Sequence, residues 1–398
     1  MRKYRPPVID IVRPFLGAIV GIVVLTLLFG FRLDSVGPGV NLAELDTVLT
    51  VQSRSLSARD ILLQDPLYLP HKVGLYALEK LGLTSLGALR SVGASFAIIA
   101  TISMYLILKH WHTRRIAIMG SILFATSSWL LHSSRLAVPE VSYLLLPVLI
   151  FLGTKLEQGK RPFVTLSVAI LVSVVLLYVP GLVWLIIPAF LWQRKRLFER
   201  LSGVNRVASG LVLLLALVLI MPLIYTLVLG RVSWQLWLGY NGNFTSVIDI
   251  LQNLAQLPVR ILLRNEANPL ISVGQLPFLD IATSTLVLLG GYWYFFQRKL
   301  DRARLMVGGL LITMVLIAVN GPMLSALMLP FVYLLATAGL TLMLQQWFTV
   351  FPRNPLARGI ALVLVSLVIG LIGFYHLNRY FVAWPNSPET KATFRTDI

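Results

Sequence analysis

The chain has 398 residues, of which 57% are hydrophobic and only 13% charged, with a mean hydropathy of +0.82. So few charges cannot give a soluble fold of this size its polar skin, which excludes an ordinary soluble enzyme, a disordered chain and a coiled coil. The formal charge of +18 reads as the basic loops of a membrane protein rather than a nucleic-acid surface, and the absence of cysteine removes disulfides, thiolate zinc sites and thiol nucleophiles.

A membrane-spanning helix needs about 20 mostly apolar residues. About eleven stretches qualify: 14–31, 88–108, 114–131, 138–154, 163–179, 181–193, 207–229, 278–297, 304–319, 323–345 and 358–377. Pro180-Gly181 reads as a tight turn between two short spans. The first stretch is expected to stay as an anchor, because it lacks a small-residue cleavage site. The expected fold class is an all-α polytopic membrane protein, with residues 1–398 forming one domain.

Lys and Arg orient the spans. With the N-terminus inside, 21 of the 34 fall in inner segments, including the compact Arg194-Lys195-Arg196 cluster. That places the C-terminus outside, together with 12 of the 16 acids. The expected location is a bacterial cytoplasmic membrane with any carboxylate chemistry facing outward. Two outer segments are long, 32–87 and 230–277. In the first, Leu42, Leu45, Val48, Leu49 and Leu56 mark one amphipathic helix, and Leu75, Tyr76, Leu78 and Leu81 another. Both are expected at the membrane surface.

Walker and dinucleotide motifs are missing. Candidate site residues lie instead where chain leaves membrane. After the first span comes Pro38-Gly39, followed by Glu44 and Asp46, carboxylates placed to take a proton from an acceptor hydroxyl. The bland alternative is that Glu44 solvates or caps a surface helix. Next come Tyr68, Pro70 and Lys72, a lysine beside a rigid turn that would meet a lipid phosphate, or else simply snorkel. After the third span, Arg135 and Glu140 sit where the chain turns back, lining a site or pairing with each other. The second long segment holds Arg264, then Gln275-Leu276-Pro277-Phe278-Leu279-Asp280.

In this order the motifs resemble the membrane glycosyltransferases of the GT-C class, nearest the protein mannosyltransferase and aminoarabinose transferase branch. They are the anchor helix, the acidic outer loop, Leu67-Tyr68 by a proline turn, Ser134-Arg135 with Pro139-Glu140, Gln275 to Asp280, and Arg379-Tyr380 near the end. The resemblance implies transfer of a sugar from a polyprenyl-phosphate donor to a protein, glycan or lipid hydroxyl, by single displacement with inversion. It makes Glu44 the base, at the second position of the family's Asp-Glu pair. Ala43 occupies the first position and departs from the pattern, so Asp46 is the local rival. Lys72 and Arg135, with Arg264 as a weaker candidate, would neutralise the departing phosphate, while Tyr68 and Glu140 would contact substrate. No cofactor is required, and a divalent cation is compatible. Two other readings stay open: a transporter or flippase for a lipid-linked precursor, for which neither an internal repeat nor mid-membrane charges are apparent, and a non-catalytic scaffold of the same fold.

Overall fold

The computed structural model describes residues 8–37, 39–53, 56–158, 162–202, 206–240, 246–266 and 268–394. Helices run in chain order as α1 (Val8–Gly30), α2 (Leu42–Ser53), α3 (Ala58–Leu63), α4 (Leu69–Lys80), α5 (Leu86–Trp111), α6 (Arg114–Thr126) and α7 (Ser128–Ser134). They continue with α8 (Leu146–Gln158), α9 (Pro162–Leu176), α10 (Val183–Ser202), α11 (Arg206–Val228), α12 (Trp234–Trp237) and α13 (Val247–Leu262). The last part holds α14 (Ile281–Phe296), α15 (Asp301–Asn320), α16 (Leu329–Val350), α17 (Pro355–Asn378), α18 (Trp384–Asn386) and α19 (Pro388–Thr393).

Each apolar stretch read from the sequence is helical, but the count of about eleven spans is not reached. Among the described residues, six helices are long and apolar enough to cross a membrane, or seven if the bent pair α6–α7 is one span. Leu16–Gly30, Phe163–Leu176 and Ile281–Phe296 form shorter apolar helices. Pro139 and Pro322 open short 3-10 turns (Pro139–Leu145 and Pro322–Met328) that lead into α8 and α16, and α6 and α7 meet at an angle of 56°. In α10, Pro188 and the charged run beginning at Arg194 leave no apolar window of spanning length.

The core is built around α16, which is buried along most of its length, and α5, whose apolar face meets α6, α8 and the 3-10 turn at Pro139. α14 and α16 cross at a pair of glycines. A Cβ on Gly290 would stand 1.9 Å from the Leu335 carbonyl oxygen, and one on Gly339 2.0 Å from that of Leu286. Only glycine lets the two backbones approach this closely. By contrast α11 shows apolar side chains outward on almost every side, as a lipid-facing helix does.

The first long segment contains the expected helices, but α2 presents a different face to the protein. Leu42 is 84% exposed, whereas Glu44, Thr47, Val48 and Val51 point inward. Val48 and Val51 join Leu75 of α4 and Leu89 and Val92 of α5 in one small apolar cluster. α13 starts with a Ser246–Asp249 capping box and packs along α15.

Candidate functional site

The candidate residues divide among separate contacts around the first long connection, α4 and the chain after α7. α1 ends with Arg32 in the left-handed region, and the chain then enters α2 through Asn41, whose Oδ1 accepts the Glu44 N–H at 2.9 Å. Glu44 is thereby turned inward. Its Oε1 accepts from Arg90 Nε and from the Ala137 N–H, both at 2.8 Å. Its Oε2 accepts from Arg90 Nη2 at 2.7 Å and from Asn41 Nδ2 at 2.9 Å. Arg90 also donates to the carbonyls of Leu33 and Gly39, at 3.0 and 2.8 Å. Both side chains of the pair are 0% exposed. Glu44, expected from the resemblance to be the base, is therefore sealed here: four donors hold its two oxygens, with no open approach for an acceptor. It neither solvates a surface helix nor waits for substrate; it ties α2 to α5 and to the chain after α7. Asp46, two residues on, lies on the exposed face of α2.

Arg135 is also withdrawn from the surface. Its guanidinium donates to the carbonyls of Leu28, at 3.2 Å, and Phe31, capping the C-terminal end of α1. It lies over the rings of Tyr380 and Phe381, at 5.3 and 4.9 Å. A phosphate-binding role for Arg135 does not fit this placement, and the Arg135–Glu140 pair considered from the sequence is not formed.

Glu140 opens the 3-10 turn after α7 and is half-buried, with no cationic partner among the described residues. It borders Tyr68 and Tyr143, whose hydroxyls are 3.4 Å apart and whose rings meet edge to face at 6.1 Å. Tyr68 is one of only two described non-glycine residues at positive φ, 55°. A bulky residue held there stores about 1–3 kcal/mol of strain. Its N–H donates to the Tyr178 carbonyl at 2.8 Å, which fixes the turn. Burial first, then the Glu140 charge, pushes the Tyr68 hydroxyl above its ordinary pKa, so it stays a neutral donor.

One turn along α4, His71 is buried with Nε2 lacking a partner, while Lys72 reaches back to Asp65, at 2.5 Å from its carboxylate and 2.8 Å from its carbonyl. Burial, and secondarily Lys72, pulls His71 down to about 3. Tyr68 and Glu140, each half-buried, thus meet over the wholly buried Tyr143, whose hydroxyl donates to the Pro180 carbonyl at 3.1 Å, and Lys72 lies half-buried on the next turn of α4. Arg264 is elsewhere: it is exposed at the end of α13, and its Nε donates to Gln275 Oε1 at 2.8 Å.

A second polar cluster lies among the later helices. His376 Nδ1 meets Ser128 Oγ at 2.9 Å and its Nε2 meets Asp280 Oδ2 at 3.0 Å, joining α7, α14 and α17. Asp280 also caps α14 through the Thr283 N–H. Arg379 donates to the Pro277 carbonyl at 2.6 Å, and Trp384 Nε1 to that of Pro269 at 2.7 Å. Ser128 is wholly buried, so this Ser–His–Asp chain acts as a tie between helices rather than as an exposed nucleophile. Arg90 and His376 were missed in the sequence although each lies inside an apolar stretch; an ionisable residue there is itself the signal. Among the described residues, no group of three or more His, Asp or Glu side chains is placed to hold a metal ion.

No protein-family profile matches the chain, and no curated protein matches it in sequence. Its fold does have a solved counterpart. The structure is similar to an archaeal oligosaccharyltransferase from Archaeoglobus fulgidus, AglB, determined with an inhibitory peptide and a dolichol-phosphate, with a TM-score of 0.57 over 92% of this chain. The identity is 13%, and the chain spans 55% of that transferase's length. The chain therefore shares its helical fold with part of that transferase.

Proposed function

We propose that this chain is a membrane glycosyltransferase that moves a sugar from a polyprenyl-phosphate donor to a hydroxyl of a protein, glycan or lipid. The single observation carrying this reading is the fold likeness over 92% of the chain to a transferase captured with a lipid phosphate and a peptide. Within the class, the motif order favours the protein mannosyltransferase and aminoarabinose transferase branch. We place the loop-bearing end outside a bacterial cytoplasmic membrane, with the N-terminus inside.

The reaction is a single displacement. The acceptor oxygen attacks the anomeric carbon, its proton passes to a carboxylate, and the polyprenyl phosphate leaves with the C–O electron pair, inverting the centre. Glu140 is assigned as the proton acceptor. It is half-buried and without a cationic partner, while Glu44 is sealed and Asp46 stands in the open. Tyr68 orients the sugar or acceptor beside it, and the buried Tyr143 holds Tyr68 in place. Lys72 exchanges Asp65 for the leaving phosphate. Arg135 and Glu44 serve by positioning, one fixing the end of α1 and the other the start of α2. The reading requires no cofactor and is compatible with a divalent cation.

The test is purified protein with labelled polyprenyl-phosphate sugars and a membrane extract, comparing Glu140→Gln, Asp46→Asn and Glu44→Gln. Loss of a general base costs about a hundredfold to ten-thousandfold in rate. Glu140→Gln should lose that much while still binding donor. Asp46→Asn should be mild. Full activity in Glu140→Gln with a dead, folded Glu44→Gln or Asp46→Asn would move the base to that residue. A wild-type chain that binds donors but transfers none would support the scaffold reading, which Ala43 and the sealed Glu44 favour.

A further inference from the structure

At the opposite end of the bundle lies a cavity of about 1050 Å³ between the ends of α5, α6, α14, α15, α16 and α17. Arg90 and Trp111 mark the two ends of α5, so the cavity is about 30 Å from the Glu44–Arg90 pair at about 1.5 Å per residue. Four arginines line it: Arg114, Arg115, Arg302 and Arg358. No Asp or Glu is among its lining residues. Arg302 lies 4.9 Å over the Trp293 ring and Arg358 4.8 Å over the Phe348 ring, so both guanidiniums are steered by aromatic walls.

The positions of these arginines are electrostatically unfavourable for the fold alone. Arg114 and Arg115 open α6, Arg302 is the second residue of α15, and Arg358 the fourth of α17. A helix N-terminus carries the positive end of the dipole and favours acids, not cations. Neither α6 nor α17 has an acid in its first turn. Charge bias between membrane faces explains basic residues at this end. It does not explain their convergence on one cavity with three helix N-termini, of which only α15 carries a first-turn acid, Asp301, and with no carboxylate in the cavity lining. An anion there would relieve all of these charges together.

The cavity continues into the membrane-facing part of the bundle. At Leu344 it adjoins an apolar groove of about 390 Å³ between α14, α16 and α17, lined by residues such as Leu289, Met343, Val365 and Ile369. A basic chamber at the helix ends joined to a greasy channel along the helices has the chemistry of a phospholipid. We infer that this cavity and groove bind an anionic phospholipid, with its headgroup phosphate among Arg115, Arg302 and Arg358 and an acyl chain along α14, α16 and α17.

The test uses the full chain in phosphatidylcholine nanodiscs, titrated with phosphatidylglycerol and followed by native mass spectrometry and thermal unfolding. Expected is retention of phosphatidylglycerol through delipidation, with a raised unfolding temperature. Arg115→Gln/Arg358→Gln should weaken retention by about tenfold or more, as losing charged partners of a phosphate does. Both residues are exposed, so the fold should survive. The control Arg298→Gln/Arg353→Gln removes equal charge from the same end outside the cavity and should leave retention unchanged. Leu344→Trp, which narrows the junction with the groove, should lower retention without altering charge. Equal loss in the control, or no preference for phosphatidylglycerol over phosphatidylcholine, would overturn the inference. So would inorganic phosphate alone giving the full stabilisation, since the cavity would then take a free anion rather than a lipid.

Discussion

Glu44 and Arg90 form a bidentate ion pair, 2.7 Å at its shorter contact, wholly buried between the first helix of the long segment and the start of α5. Removing one partner strands the other charge without water, which costs about 3–5 kcal/mol. Arg90→Ala should therefore lower the thermal unfolding temperature sharply in detergent. Replacing both, as Glu44→Leu/Arg90→Met, should recover part of the loss. A double variant no better than Arg90→Ala would show that the other donors to Glu44 carry the stability.

The glycine crossing of α14 and α16 gives a second prediction. Gly339→Ala pushes a methyl into the Leu286 carbonyl and should cost about 1–3 kcal/mol or more, as overpacking does. Gly291→Ala on the same helix as Gly290 meets nothing within 4 Å and should be neutral or slightly stabilising. Unfolding temperatures of the two variants side by side check this.

The depressed His71 makes stability depend on acid. Its folded value is about 3 against an ordinary 6.5, so above pH 6.5 neither state binds the proton and nothing is lost. Between 6.5 and 3 the unfolded chain takes a proton that the buried ring refuses, and stability falls as pH falls. At pH 5 the loss is about 2 kcal/mol, at about 1.4 kcal/mol per pH unit. His71→Gln should flatten the difference between unfolding at pH 7 and pH 5 by about this amount. An unchanged pH difference would show that the ring is protonated in the folded protein.

Asp280 both caps α14 and holds His376. Asp280→Ala loses a cap worth about 1 kcal/mol and leaves a buried ring nitrogen unpaired, at about 1–3 kcal/mol more. Asp280→Asn keeps the acceptor for the Thr283 N–H and should cost less. Hydrogen exchange at the start of α14 should rise in the first variant and much less in the second.

The membrane class, the position of every apolar helix and the grouping of basic residues were legible from the chain, because about 20 apolar residues have one stable form in lipid and charge sorts to the ends. The motif order also pointed to the fold of a membrane glycosyltransferase, and the chain shares its fold with part of an oligosaccharyltransferase structure. Span lengths were less legible. Pro139 and Pro322 were visible, but the way each helix starts beside them depends on what packs there.

The roles of the charged residues were decided by the tertiary structure. Position in the sequence put Glu44 beside the membrane boundary, yet whether it faces solvent or Arg90 depends on how α2 rotates, and that is set by Val48 and Val51 meeting Leu89 and Val92 from a distant helix. Arg135 likewise had its charge written in the chain, but its partners are carbonyls more than a hundred residues earlier. Local sequence fixes which groups can ionise and which segments enter lipid. Which charges end up paired, capped or open is set by contacts between segments far apart in the chain, and those exist only once the helices have packed.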